Sequence, residues 1–215
     1  MRFSAQALLF DNDGTLISSL ASVERCWRRW CEEYGVGARE FARAGLHGRP
    51  AADIIADLLP AGQVPAALAR IEHLEIADVA GGVEPLPGAV RLTGVLPPER
   101  WAVVTSATRA LGEARLRAAG IAPPLVVAAD DVVRGKPDPE PFRAAAAKLG
   151  VDPAHCVVFE DAPVGLTAAR AAGMRTVALT TTHARAELSA DAVVPDLSAV
   201  SVQVTADGLE LQAEV

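Results

Sequence analysis

The chain has 215 residues, 51% of them apolar and 22% charged, with a formal net charge of -7. That apolar content is enough to bury a sizeable core and excludes a disordered chain, while the acidic balance offers none of the basic surface that nucleic-acid phosphates require. No apolar run reaches the length of a membrane-spanning helix, and the short run that opens the chain stops at Asp11, too early for a secretion signal.

The first predicted element is a strand over residues 5–10, AQALLF, too apolar to expose one face and so suited to the interior of a parallel sheet. A helix is predicted from about Ala21 to Tyr34, where Val23, Cys26, Trp27, Trp30, Cys31 and Tyr34 recur at helical spacing. From there to about Gly82 the pattern is helical throughout, broken at GVGARE, LHGRPA and LLPAGQVP. After Pro85 short β-rich runs alternate with helical segments. The strands are expected at 101–105, 125–128, 156–160 and 176–179, with an edge strand at 192–194; helices are expected at 140–149 and 163–172, each followed by Gly. This alternation predicts an α/β fold with a Rossmann-like, doubly wound parallel sheet, interrupted after its first strand by an all-helical insert. The last ten residues read as a poorly anchored tail. Cys26, Cys31 and Cys156 lack C-x-x-C spacing, which suits buried apolar thiols in a reducing cytoplasm rather than disulfides or zinc.

Ligands of open parallel sheets bind beyond the carboxyl ends of the strands. Four predicted strand ends are polar: Asp11-Asn12-Asp13-Gly14-Thr15, Thr105-Ser106, the loop Arg134-Gly135-Lys136-Pro137, and Glu160-Asp161. Gathered in one crevice, Asp11, Asp13, Glu160 and Asp161 repel one another, and a magnesium ion with hard oxygen ligands, together with Lys136, resolves the conflict. Such a set suits a phosphate dianion. Asp11 can attack phosphorus, and Asp13 can protonate the leaving alcohol and later deprotonate water. Thr105 and Ser106 can donate to the phosphate.

These elements resemble the haloacid dehalogenase superfamily. LLFDNDGTL resembles its first motif, VVTSA the second, RGKPDPEPF the third and VVFEDAPVGLTAARAAG the fourth. VEPLPGAV resembles the return from a small helical cap to the core. The resemblance implies a catalytic core over 1–17 and 86–205, a cap over 18–85 and a tail over 206–215. It also implies Asp11 as nucleophile, Asp13 as acid/base and magnesium ligand through its carbonyl, Thr105, Ser106 and Lys136 as phosphate ligands, and Asp161 and Glu160 as further metal ligands. Dehalogenases carry Tyr at the place of Asp13. The phosphoglucomutase branch carries His at the place of Val23, which weakens a phosphosugar mutase as the alternative. Asn12 replaces a more usual Leu, Phe or Met. The texture is most similar to phosphatases of sugar and polyol phosphates, in whose branch the cap segment at His47, Gly48 and Arg49 contacts substrate.

Overall fold

Residues 5–10 are not one strand in the computed structural model, which describes residues 1–45 and 50–214. The chain switches sheets at Gln6. Arg2–Ala5 (β1) alternates, with Phe3 and Ala5 inward and Arg2 and Ser4 outward, so it suits a sheet with one solvated face. Ala7–Phe10 (β2) is buried at every position. Ile17–Ser18 (β3) leads into Leu20–Tyr34 (α1), followed by Ala38–Ala44 (α2), Ala51–Leu58 (α3) and Val64–Asp78 (α4). The chain returns through Glu84–Pro85 (β4), which pairs antiparallel with β3, so entry to and exit from the insert lie side by side.

Beyond β4 come Ala89–Thr93 (α5), Trp101–Val104 (β5), Arg109–Ala118 (α6), Val126–Val127 (β6), Glu140–Leu149 (α7), Cys156–Glu160 (β7), Pro163–Ala171 (α8), Arg175–Leu179 (β8) and Ala192–Val194 (β9). Six strands form one parallel sheet in the order β6-β5-β2-β7-β8-β9, with β2 in the interior and β9 at an edge. The fold is α/β and doubly wound. Strand alternation sends Leu8, Phe10, Val103 and Phe159 into an apolar cluster on one face, and Ala7, Leu9, Val104 and Val158 into a cluster on the other. Phe10 stacks on Phe159 with ring centroids 4.9 Å apart, while Phe142, Ala145 and Ala146 of α7 cover the opposite face.

The insert has its own core. Cys26, Trp27 and Trp30 of α1 pack on Ile54 and Ile55 of α3 and on Ala67, Ile71 and Leu74 of α4. The indole N–H of buried Trp30 donates to the Ala67 carbonyl at 2.9 Å, which satisfies the polar end of a large apolar ring. All three thiols are free. No helix among the described residues is long and apolar enough to cross a membrane.

The C-terminal residues correct the sequence reading. Leu209–Ala213 (β11) is not a loose tail but the middle strand of a three-stranded antiparallel sheet, between β1 and Val200–Val204 (β10). Leu209, Leu211 and Ala213 are buried and Glu210 and Gln212 exposed. This period-two pattern is what a half-buried strand needs, and its partner β1 stands at the other end of the chain. Leu211 is 2% exposed, so Leu211→Ala should lower the unfolding free energy by about 3 kcal/mol in a denaturant titration. A change under about 0.5 kcal/mol, the usual effect at an exposed site, would be incompatible with a packed strand.

Candidate active site

Asp11 is the first residue past β2, and its N–H donates to the Phe159 carbonyl of β7 at 2.9 Å. The chain then turns tightly: the N–H groups of Thr15, Leu16 and Ile17 all converge on the Asn12 carbonyl. Gly14 permits this turn with φ at 88°. It is also close to its neighbours, because a Cβ there would lie 2.3 Å from Asp161 Oδ2. Asn12, the unusual residue of the first motif, is fully buried. Its amide donates to Asp13 Oδ2 at 3.3 Å, while its Oδ1 accepts nothing among the described residues.

The neighbouring strand ends complete the group. Lys136, from the loop after β6, is 5% exposed and donates to Asp11 Oδ1 at 2.5 Å, Glu160 Oε1 at 2.8 Å and the Val104 carbonyl at 3.0 Å. The second oxygen of Glu160, at the end of β7, accepts from the Ala162 N–H at 2.8 Å. Gly165, one turn into α8, leaves room for that carboxylate, since a Cβ there would overlap Glu160 Oε1 at 1.6 Å. Asp161 accepts from Thr15 Oγ1 at 3.2 Å and from the Thr182 hydroxyl. Thr105 is buried at the end of β5, held by its N–H to the Val127 carbonyl, and its hydroxyl accepts from the Ala107 N–H at 3.1 Å.

Asp11, Glu160 and Asp161 place one carboxylate oxygen each within 4.8 Å of one another. When all three are ionised, Lys136 answers one charge and two remain buried. Burial therefore holds the Asp11 carboxyl well above its ordinary value, with Lys136 opposing and Glu160 and Asp161 adding to the rise. Asp161 is pushed up to about 7 by burial and by Glu160. Burial alone would lower the Lys136 ammonium, but Asp11 and Glu160 outweigh it and hold the lysine charged. A buried set of hard oxygen donors with uncompensated negative charge fits a divalent cation.

Asp13 stands apart from this cluster. Its Oδ1 accepts from Ser19 Oγ at 2.6 Å and lies 3.0 Å from Arg115 Nη1. Arg115 in turn reaches Glu75 of α4, whose carboxyl burial pushes up to about 7 against the pull of Arg115. These residues face a cleft of about 340 Å³ between the sheet and the insert. The core contributes Asp11, Asp13, Thr105, Ser106, Lys136, Glu160 and Asp161, and the insert contributes Val23, Trp27, Leu68, Ile71 and Glu72. The sequence reading missed Arg115, Glu75, Ser19 and Thr182, none of which stands in a motif, and gave no role to Thr15 of the first motif. The cap residues His47, Gly48 and Arg49 lie outside the described residues.

A family model described as haloacid dehalogenase-like hydrolase matches residues 5–173. The chain belongs to this family. Among curated relatives of this haloacid dehalogenase-like hydrolase, hexitol phosphatase A of Escherichia coli is 37% identical, covering 81% of this chain and 82% of the relative. Validoxylamine A 7'-phosphate phosphatase of Streptomyces hygroscopicus subsp. limoneus is 39% identical, covering 89% and 94%. A crystal structure of mutant CbbY from Rhodobacter sphaeroides, in complex with xylulose-(1,5)bisphosphate, superposes with a TM-score of 0.78 at 26% identity, covering 90% and 95%.

The raised acids make cation binding depend on pH. An acid whose folded value is raised from 3.8 to about 7 costs stability as pH climbs through that interval, and a cation bound to the ionised form restores it. Magnesium should therefore raise the melting temperature more at pH 8 than at pH 5.5. An increment that is constant, or larger in acid, would show that these carboxylates do not hold the ion.

Proposed function

We propose that this enzyme hydrolyses a small sugar or polyol phosphate, with magnesium, through an aspartyl-phosphate on Asp11. The observation that carries this reading is the buried Lys136 ammonium, bonded to both Asp11 and Glu160 at the mouth of the sheet. The curated relatives named above support the substrate class, and the cleft, polar on its core side and largely apolar on its insert side, is of a size for a small metabolite. Pro50, Ala51 and Ala52 also line it. The resemblance of the cap segment puts His47, Gly48 and Arg49 forward for substrate contact.

Lys136 engages Asp11 Oδ1 and leaves the other carboxylate oxygen to attack phosphorus. As that P–O bond forms, the bond to the leaving oxygen breaks, and Asp13 supplies the proton the alcohol needs. Asp13, now a carboxylate, takes a proton from water as the water oxygen attacks the acyl phosphate, which frees phosphate and restores Asp11. Lys136, Thr105 and Ser106 hold the phosphoryl oxygens. Asp11, the Asp13 carbonyl, Asp161 and, through water, Glu160 would hold magnesium, whose positive charge offsets that of the phosphoryl oxygens. Val23 lines the cleft with an apolar side chain where a phosphosugar mutase has His, so water rather than a second sugar hydroxyl meets the acyl phosphate. A reducing cytoplasm suits the three free thiols.

Incubation with hexitol, hexose and glycerol phosphates in oxygen-18 water should release labelled free phosphate from at least one. Asp11→Asn should fold normally and lose essentially all of that turnover, because an amide is a very poor nucleophile toward phosphorus. Interconversion of hexose phosphates without solvent label, or substantial residual activity in a clean Asp11→Asn preparation, would refute the reading.

A further inference from the structure

Asp13 is tied to the helical insert by charges that phosphoryl transfer itself does not use. Arg115, on core helix α6, is 5% exposed, with Nη1 3.0 Å from Asp13 Oδ1 and Nη2 3.4 Å from Glu75 Oε1 on insert helix α4. Glu75 is 6% exposed. Arg115 Nε and Nη2 have no hydrogen-bond partner among the described residues, so this buried cation stays where its charge is answered, between one carboxylate of the core and one of the insert. A second link runs in parallel, since Thr108, the N-cap of α6, donates to Glu72 on α4. A third comes from the start of the insert, where Ser19 precedes α1 and donates to the same Asp13 Oδ1.

These contacts divide the work between the two oxygens of Asp13. Among the described residues, Oδ1 is engaged by both Ser19 and Arg115, whereas Oδ2 has only the long 3.3 Å bond from Asn12. An acid/base must hold one oxygen still and present the other. We propose that Arg115 is a positioning residue for Asp13, and that Glu75 couples this positioning to the seating of α4, so that the acid/base is aligned only when the insert rests on the core. The proposal rests on the phosphatase reading and adds to it the pair that sets its acid.

Acid assistance matters for a poor leaving group and little for a good one, which makes the leaving group the readout. Phosphoryl transfer to Asp11 is followed in single turnovers of radiolabelled glycerol 1-phosphate and p-nitrophenyl phosphate. Each rate is taken per labelled site, so that misfolded protein lowers the amplitude and not the rate. Arg115→Met should slow transfer from glycerol phosphate about 100-fold and transfer from p-nitrophenyl phosphate less than about threefold. Arg115→Lys should recover part of the loss. Glu75→Gln, which keeps the shape of the side chain, should slow the glycerol ester several-fold and spare the aryl ester. Equal slowing of both esters, or of neither, would overturn the positioning role and leave the phosphatase reading standing. Wild-type protein that takes phosphate from neither ester, nor from a hexitol or hexose phosphate used in place of the glycerol ester, would remove that reading and the proposal with it.

Discussion

A lysine ammonium buried among carboxylates sets the terms for this structure. Lys136 is almost fully withdrawn from water, which an isolated charge cannot tolerate. It is stable there because Asp11, Glu160 and the Val104 carbonyl surround it, and each of those partners comes from a different strand. Removing the lysine would leave the charge of those acids buried without an answer. The parallel sheet is the device that satisfies this demand. Placing β2 between β5 and β7 puts three carboxyl ends next to one another, and the loop after β6 needs only to drop its lysine into the gap.

The same crowding limits the backbone. Gly14 lets the chain reverse immediately after the two aspartates while passing against Asp161, and Gly165 lets α8 begin against Glu160. A side chain at either place would push a carboxylate out of the cluster. The chemistry of the site therefore depends on two residues that contribute no functional group to it.

The insert adds the second half of the cleft. α1, α3 and α4 bury their tryptophans and isoleucines against one another, which gives the insert an apolar core of its own. Glu72 and Glu75 on α4 answer Thr108 and Arg115 on α6, so the contact between α4 and α6 includes polar and charged bonds. Polar contacts between elements are directional, and here Arg115 carries one of them on to Asp13.

Much of this was legible in the sequence. The apolar runs of β2, β5 and β7 and the turn chemistry at their ends announced a parallel sheet with acids at its mouth, since period, length and flanking Gly or Pro are local properties. So did the bounds of α7, whose N-terminal Pro and following Gly lie next to it in the chain. Asp11, Asp13, Lys136, Glu160 and Asp161 stood out because each sits at a fixed offset from a strand. Other features were not legible. The alternation of Leu209, Leu211 and Ala213 was present, but its partner strand lies some two hundred residues away at Arg2–Ala5, and a lone strand has no meaning without the edge it joins. The split of residues 5–10 at Gln6 had the same cause. Arg115 and Glu75 looked like ordinary helical charges, because nothing in their own segments told that α6 and α4 would meet. The sequence by itself determined the buried strands of the parallel sheet and the acids at its mouth. Only the tertiary structure decided which charges share a buried space, because that depends on distances between segments remote in the chain.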